Sequence, residues 1–192
     1  MKLFFTSSAN LVLDKIVLDL PKNPSAYKVA FVPTAGDPYE DKYWQVEDHN
    51  KLIELGFQVE DFDLKNKNET EVREYLNNID IIFVAGGNTF YLLDQANKSG
   101  FTKVIKELKD SDKIYIGSSA GSCIAGPDLE PIAPIDDPEF ANLDSTKAFG
   151  LVDFVVIPHY GRDKYLPIQE KVIEEFGEKY KLVPLMDGDM KT

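Results

Sequence analysis

Short apolar runs rich in Val, Ile and Phe alternate with longer amphipathic segments along most of the chain, and this alternation restricts the folds that are available to it. The runs that predict strands are Lys2–Thr6, Lys28–Pro33, Phe57–Asp63, Ile79–Ala85, Lys113–Gly117, Phe154–Pro158 and Leu182–Met186. The segments that predict helices are Tyr43–Leu55, Glu69–Asn77, Thr89–Asn97, Thr102–Lys109, Ser122 onward and Lys164–Phe176. Strands that are apolar on both faces and alternate with helices are typical of a mostly parallel sheet. The sequence therefore predicts an α/β fold, a three-layer α/β/α sandwich around a central sheet.

Length, charge and cysteine content exclude several classes of protein. The 192 residues fit one domain, spanning 1–192, with a core of its own. The net charge of -12 repels phosphate backbones, so we expect no nucleic-acid partner. No apolar stretch reaches the roughly 18 to 20 residues that span a membrane, and the single cysteine, Cys123, cannot form an internal disulfide. We therefore expect a cytoplasmic protein with no membrane partner.

The most informative motif is Gly117-Ser118-Ser119-Ala120-Gly121, which follows directly on a predicted strand and precedes a predicted helix. In this context small residues on either side allow a sharp turn, which exposes the central serine at the start of the helix. Such a serine needs a neighbouring base and donors for the developing oxyanion before it becomes a nucleophile. Ser119 is therefore the candidate nucleophile, although a small-residue turn can also simply bring a helix close to a sheet.

A second turn, Gly86-Gly87-Asn88, also follows a strand of the buried type. Paired glycines allow backbone N–H groups to approach a ligand closely. Because ligands of open α/β sheets bind beyond the carboxyl ends of the strands, this turn and the Ser119 turn can border one crevice. The N–H groups of Gly87 and Ala120 are the candidate oxyanion hole, and Asn88 is a candidate substrate contact. The alternatives are a turn without a ligand or a phosphate cradle, although the turn lacks the lysine of a P-loop.

The candidate base is His159, which follows the predicted strand Phe154–Pro158, whereas the other histidine, His49, lies on a polar helical stretch. A base has to reach the same crevice as the nucleophile, and its position favours His159. A carboxylate should orient the imidazole, and Asp187 follows the last apolar run. The rivals for this role are Asp189 and the pair Asp136 and Asp137.

Two further features need an interpretation. The segment from Gly126 to Phe149 carries four prolines and an acidic cluster, which predicts a long surface loop that either borders the site or only connects two elements. Cys123 raises the alternative of a thiol nucleophile, but it lies four residues beyond Ser119, about one helical turn further along. A small buried side chain is the ordinary interpretation of such a cysteine.

Taken together, Gly86-Gly87-Asn88-Thr89-Phe90, Gly117-Ser118-Ser119-Ala120-Gly121, Pro158-His159 and Leu185-Met186-Asp187-Gly188 resemble the peptidase E family of serine peptidases, which includes aspartyl dipeptidase. The resemblance spans essentially the whole chain. It implies the class I glutamine amidotransferase-like (flavodoxin-like) fold, shared with cyanophycinase, and a Ser, His, acid triad in that chain order. The family's aspartyl dipeptidases carry Glu where Asp187 stands.

The resemblance also sets expectations about substrate and chain end. Asp-selective members are rich in arginine after the histidine, where this chain has Arg162, Lys164 and Lys171, so selectivity for N-terminal Asp is not expected. Arg162 is a candidate substrate contact. Similar proteins continue with one or two more strands beyond the position of Asp187, so we expect a strand or two to be missing, with an exposed sheet edge beside Leu182–Met186.

The sequence as a whole predicts a serine peptidase that hydrolyses short peptides, most simply dipeptides, through Ser119, His159 and Asp187. No metal and no organic cofactor is expected, and the protein is predicted to be a monomer or a homodimer. The alternatives are another small amide or ester hydrolase, a glutaminase-like enzyme that uses Cys123, and a non-catalytic small-molecule binder on the same fold.

Overall fold

The computed structural model describes residues 1–192 and has at its centre a six-stranded sheet with the order β3-β2-β4-β5-β1-β8. All pairings in this sheet are parallel except that of β8 with β1. The strands are β1 (Lys2–Thr6), β2 (Lys28–Val32), β3 (Gln58–Asp61), β4 (Ile81–Val84), β5 (Ile114–Ser118), β6 (Phe154–Ile157), β7 (Lys181–Pro184) and β8 (Met190–Lys191). The predicted α/β class with a mostly parallel sheet is confirmed.

Helices cover both faces of this sheet. They are α1 (Leu13–Leu18), α2 (Tyr43–Glu54), α3 (Glu69–Asn77), α4 (Thr89–Lys98), α5 (Phe101–Glu107), α6 (Ala120–Cys123) and α7 (Leu166–Phe176). Alternate residues of β4 divide between two cores: Ile81 and Phe83 pack with α1 and α2, whereas Ile82 and Val84 pack with the core beneath the other helices. Burial on both faces explains why β4 is a continuous apolar run rather than an alternating one.

The carboxyl-terminal part of the chain differs from the sequence prediction. Strands β6 and β7 pair in parallel with each other as a separate two-stranded sheet. After Asp187 the chain forms β8, whose Lys191 and Met190 lie opposite Phe5 and Thr6 of β1. This strand was not predicted from the sequence, because two residues are too few to show a periodic pattern. β8 therefore pairs with an edge of the main sheet rather than with β7.

Several helix boundaries follow local signals in the sequence. Gly56 follows α2 with φ of 92°, the left-handed conformation that glycine adopts without strain. Asn68 caps α3 by accepting from the backbone N–H groups of Thr70 and Glu71, while the Glu71 carboxylate accepts from the Asn68 backbone N–H. The helix predicted from Ser122 onward is wrong in its bounds: it begins at Ala120 and ends at Cys123.

The segment between Gly126 and Phe149 is a loop with two short 3-10 turns, at Glu130–Ile132 and Pro138–Phe140. A single antiparallel bridge joins Asp128 to Lys147 near its two ends. The loop places Ile132 in the core and Phe140 at the surface. Among the helices, none combines the length and the apolar composition needed to cross a membrane.

Candidate active site

A crevice of about 710 Å³ lies beyond the carboxyl ends of the parallel strands. It is lined by the residues that follow β1, β4, β5 and β6, by α2 and by the 126–149 loop. This is the position at which open α/β sheets bind their ligands. Ser119 and His159, the nucleophile and base predicted from the sequence, both line the crevice.

Ser119 stands in a sharp turn between β5 and α6, with φ of 49° and ψ of -108°. Glycines on both sides allow this turn. A Cβ added at Gly117 would lie 2.5 Å from the Gly121 carbonyl oxygen, and one added at Gly121 would lie 2.0 Å from that of Val84. Such contacts are far too short, so helix and strand approach closely only because both positions are glycine. The Ser119 backbone N–H donates to the Thr6 carbonyl at 3.0 Å, which holds the turn against β1.

Three side chains that are distant in sequence form one hydrogen-bonded chain in the crevice. Ser119 Oγ lies 3.0 Å from His159 Nε2, and His159 Nδ1 lies 2.7 Å from Asp187 Oδ1. Because a carboxylate only accepts, Nδ1 carries the proton and Nε2 is free to accept from the serine hydroxyl. His159 itself has φ of 57°, a conformation that L-residues adopt at a cost of order 1 to 3 kcal/mol. The arrangement has the geometry of a serine, histidine and carboxylate triad.

Asp187 is held by more than the imidazole. Arg162 Nε donates to its Oδ2 at 2.6 Å, and the hydroxyls of Ser7 and Ser8 donate to its Oδ1 at 3.1 and 3.2 Å. The Ser7 hydroxyl also accepts from the His159 backbone N–H at 2.5 Å. These contacts fix the carboxylate on the Nδ1 side of the ring. Arg162, a candidate substrate contact from the sequence, thus makes its polar contact with Asp187.

The ionisation of the pair follows from these contacts. Partial burial alone would raise the pKa of Asp187, but hydrogen bonds from His159 and Arg162 outweigh it and bring the pKa to about 2. Burial lowers the pKa of His159 below its ordinary value of 6.5, more than the Asp187 hydrogen bond raises it, and the Arg162 charge lowers it further. At neutral pH the imidazole is therefore neutral beside an ionised carboxylate, as a general base requires.

These shifts predict the pH dependence of any reaction that uses His159 as base. The reaction needs the neutral imidazole, so kcat/KM should rise with pH to a plateau, with a midpoint below 6.5. Arg162→Gln removes a positive charge and should move this midpoint to higher pH, whereas the exposed Lys181→Gln should leave it in place. Initial rates between pH 4.5 and 9 measure the midpoint, and a plateau that begins only above pH 7.5 would contradict the assignment.

The turn after β4 places Gly87 beside Ser119. Gly87 has φ of 148°, and a Cβ there would lie 2.1 Å from the Ala35 carbonyl oxygen, so only glycine fits. Its N–H has no acceptor within the chain. Ala120, as the first residue of α6, has no acceptor for its N–H within its helix. The two candidate oxyanion donors thus lie in turns that border the crevice, one after β4 and one after β5.

The carbonyl of Gly86 is fixed by two donors from α2. Trp44 Nε1 donates to it at 3.1 Å, and Gln45 Nε2 donates to it at 2.7 Å and to the Pro33 carbonyl at 2.8 Å. In a trans peptide the carbonyl of one residue and the N–H of the next point in opposite directions, and the chain has no cis peptide. Trp44 and Gln45 hold the Gly86 carbonyl towards α2. They thereby orient the Gly87 N–H away from α2.

Asn88, the other candidate substrate contact, is buried and occupied within the fold. Its Oδ1 caps α4 by accepting from the Tyr91 N–H at 2.8 Å, and its Nδ2 donates to Asp136 Oδ1 at 3.0 Å and to the Asp137 carbonyl at 2.8 Å. Asp136 also accepts from the Thr89 N–H at 2.6 Å. The structure therefore gives Asn88 a place in anchoring the 126–149 loop to α4, with no side-chain donor left for a ligand.

The rival residues His49, Asp189 and Cys123 make no polar contact with the side chains of Ser119, His159 or Asp187. His49 is paired with Asp61 at 3.3 Å and lies outside the crevice lining. Asp189 accepts from the Met186 backbone N–H at 3.3 Å. Cys123 is buried, and its thiol donates to the Val156 carbonyl at 3.4 Å. Burial raises the pKa of this thiol well above its ordinary range, which disfavours the thiolate that a nucleophile requires.

Four residues that contact the triad or the Gly86 turn were not predicted from the sequence. Ser7 and Ser8 follow β1, and the rule that was applied to the other strand ends would have found them. Trp44 and Gln45 lie on α2, and nothing in the sequence signals their contact with the Gly86 turn. A tertiary contact between a helix and a distant loop leaves no local pattern.

Asp48, on the crevice wall, is a buried carboxyl group. It is 3% exposed and accepts from the Asn10 backbone N–H at 2.7 Å. Burial raises its pKa from 3.8 to about 6. Because the folded-state pKa lies above the unfolded one, ionisation of Asp48 costs stability progressively between pH 3.8 and 6, and the full cost remains above pH 6.

We therefore expect the change in the free energy of unfolding caused by Asp48→Asn to be more favourable at pH 8 than at pH 4, by roughly 2 to 3 kcal/mol. The amide oxygen keeps the bond from Asn10 and carries no charge. Thermal unfolding of both proteins at the two pH values measures this difference, and the exposed Glu74→Gln on α3 serves as control. An equal change in Tm at pH 4 and pH 8 would contradict it.

Fold and site together define a class: an α/β protein with a mostly parallel sheet that carries a serine, hydrogen-bonded to a histidine, at the turn after a central strand. Comparison with known proteins then identifies the family. The chain matches Peptidase family S51 over residues 3–190 and belongs to that family. It is a serine peptidase.

Two relatives and two solved structures show the extent of the similarity. An uncharacterized peptidase of Listeria monocytogenes is 34% identical over 188 residues, which cover 97% of this chain and 91% of the relative. A probable alpha-aspartyl dipeptidase of Drosophila melanogaster is 36% identical over 143 residues, covering 74% of this chain and 56% of the relative. The crystal structure of a candidate peptidase E protein from Listeria monocytogenes superimposes with a TM-score of 0.91 at 33% identity, covering 99% and 93% of the two chains.

A peptidase from an acI-B1 actinobacterium has a TM-score of 0.67 at 18% identity, covering 96% of this chain and 80% of that one, which shows the fold alone. The resemblance to peptidase E that was stated from the motifs is confirmed.

Proposed function

We propose that the protein hydrolyses dipeptides and similarly short peptides through an acyl-enzyme on Ser119. The proposal is carried by one observation, the hydrogen-bonded chain from Ser119 through His159 to Asp187 at the wall of a crevice. In an S51 peptidase such a chain has the parts that peptide hydrolysis needs: a nucleophile, a base and an orienting carboxylate.

The steps follow from the positions of the groups. Ser119 Oγ attacks the peptide carbonyl carbon while His159 Nε2 takes the hydroxyl proton, and the carbonyl oxygen becomes an oxyanion between the N–H groups of Gly87 and Ala120. His159 then gives the proton to the leaving amine as the C–N bond breaks. A water molecule then gives a proton to His159 and attacks the acyl carbon; the bond to Ser119 Oγ breaks, and His159 returns the proton to Oγ as the acid is released. Asp187 stays ionised and stabilises the imidazolium that forms in both halves.

The charges of the crevice favour a short, unblocked substrate. Arg162 and Lys164 line it on the side of His159, and Asp136 and Asp137 line it near the Gly87 turn. A dipeptide carries an ammonium group and a carboxylate only a few ångströms apart, and each would meet charges of the opposite sign. The 126–149 loop forms part of the crevice wall beside these acids.

A dipeptide library tests this proposal, with every member also supplied in N-acetylated form. We expect hydrolysis of free dipeptides and a loss of at least about tenfold in kcat/KM on acetylation, because the ammonium charge is removed. Hydrolysis of esters but of no peptide would instead favour the alternative of another small acyl hydrolase. Equal rates for free and blocked peptides would contradict recognition of the amino terminus.

Gln45 provides a test of the oxyanion hole. Gln45→Leu removes a donor to the Gly86 carbonyl, so the Gly87 N–H should lose its fixed direction. We expect kcat to fall by about 10- to 100-fold with KM little changed, since the lost interaction is made mainly in the transition state. The exposed neighbour Val46→Ala is the control. A rise in KM alone, at unchanged kcat, would show that Gln45 does not act on the oxyanion.

A further inference from the structure

Four aromatic side chains form a wall of the crevice: Tyr39, Tyr43, Trp44 and Phe140. The ring centroids of Tyr39 and Tyr43 lie 5.6 and 5.3 Å from that of Trp44, and Phe140 lies 6.2 Å from Tyr39. Tyr43 is 57% exposed and Phe140 is 45% exposed. Contiguous exposed aromatic surface of this kind, lining a concave site, is typical of ligand binding.

This aromatic wall is adjacent to Ser119. A Cβ added at Gly86 would lie 3.5 Å from Trp44 Cδ1 and 3.3 Å from the Ser119 Cβ, so the indole ring and the serine pack against the same glycine. Any acyl group attached to Ser119 therefore has the aromatic wall within reach of its side chain.

The reaction decides which half of the substrate faces the wall. His159 has to protonate the leaving amine, so the residue that leaves lies on the His159 side of Ser119, where Arg162 and Lys164 can meet its carboxylate. The residue that acylates Ser119 then lies on the opposite side, by Trp44. In a dipeptide this is the N-terminal residue.

The charges near the wall disfavour an acidic side chain in this place. Burial raises the pKa of the Tyr39 phenol, and the nearby charges of Asp136 and Asp137 raise it further. Glu47, three residues after Trp44 on α2, also lines the crevice. These carboxylates attract a substrate ammonium group and repel a substrate carboxylate.

We propose that Tyr39, Trp44 and Phe140 bind the side chain of the substrate's N-terminal residue, and that they select large apolar, especially aromatic, side chains over acidic ones. This inference rests on the proposed function for the identity of the substrate. It assigns to this chain a selectivity that differs from cleavage after N-terminal Asp.

Trp44 is the single tryptophan of the chain, so its fluorescence reports directly on the wall. In Ser119→Ala, which cannot form the acyl-enzyme, titration with Phe-Ala, Asp-Ala and Gly-Ala measures binding without turnover. We expect Phe-Ala to bind at least about tenfold more tightly than the other two, because burial of a large apolar side chain in a matching pocket increases affinity by this factor or more. In parallel, kcat/KM of the unmodified protein should follow the same order.

Phe140→Ala, made in the Ser119→Ala protein, should reduce the preference for Phe-Ala to about threefold or less, since part of the wall is lost. Ile53→Ala is the matched control: it is 54% exposed on α2 but lies outside the crevice lining, so the preference should stay. Tighter binding of Asp-Ala, or an unchanged preference in Phe140→Ala, would overturn the aromatic subsite.

Failure of the subsite and failure of the proposed function give different results. Hydrolysis of all three dipeptides at similar kcat/KM would overturn the subsite and support the peptidase proposal. Selective binding of Phe-Ala without hydrolysis of any dipeptide by the unmodified protein would support the subsite and overturn the proposed hydrolysis.

Discussion

Ser119→Ala should lower kcat/KM for dipeptide hydrolysis by about 10⁴- to 10⁶-fold, the range expected when the nucleophile of such a triad is removed. The hydroxyl that Ser119 presents 3.0 Å from His159 Nε2 is the group that would form the acyl bond, and no other hydroxyl contacts that nitrogen. Progress curves with a well-hydrolysed dipeptide, taken at high protein concentration, would measure the residual rate. A fluorophosphonate probe should label the unmodified protein at Ser119 and leave the variant unlabelled.

Cys123→Ala is the matched control for this experiment. Cys123 lies at the crevice wall, but its thiol is buried, burial raises the pKa of the thiol, and its polar contact is with the Val156 carbonyl. We expect activity within about threefold of the unmodified protein, because the substitution removes only a small buried thiol from the core. Full activity in Ser119→Ala together with its loss in Cys123→Ala would instead support the glutaminase-like alternative. Absence of both labelling and hydrolysis in the unmodified protein would favour a non-catalytic binder.

The fold was predictable because its signals are local and repeated. Strand β4 is a run of four buried apolar residues, and α3 carries its cap and its first-turn acids in the sequence itself. The topology rule then adds a spatial statement: the residues after parallel strands lie at one edge of the sheet. From that rule alone Ser119, Gly87 and His159 could be expected around one crevice, and all three line it.

The parts of the site that could not be predicted depend on tertiary contacts, which produce no periodic pattern in the sequence. The Arg162 guanidinium faces Asp187 only because the turn after β6 brings the two together. The sequence indicated that Asn88 could contact a ligand. In the structure its side chain is buried, and its Nδ2 donates to Asp136 and Asp137 of the 126–149 loop. The aromatic wall is formed by residues in and just before α2 and by Phe140 of that loop, which lies nearly 100 residues further along the chain. Tertiary placement, rather than residue type, decides each of these cases.

Asp187→Asn should lower kcat/KM by about 10³- to 10⁴-fold while leaving the fold intact, as an amide in place of the triad acid does in comparable hydrolases. The asparagine side chain can donate to His159 Nδ1, which favours the tautomer with the proton on Nε2, and that nitrogen can then no longer take the Ser119 proton. It also leaves Arg162 without a negative partner. The loss should therefore appear in kcat far more than in KM.

Asp189→Asn separates this effect from a general loss of negative charge at the same turn. Asp189 lies two residues further on and accepts only from the Met186 backbone N–H, at 3.3 Å, so we expect activity within about threefold. Asp187→Glu adds a graded test, because relatives of the aspartyl dipeptidase type are expected to carry Glu at this place, and partial activity should remain. If Asp187→Asn hydrolysed dipeptides as fast as Asp189→Asn, the carboxylate 2.7 Å from His159 Nδ1 would have no part in the reaction. The orientation of the imidazole would then have to come from Ser7, whose hydroxyl lies 3.2 Å from the same nitrogen.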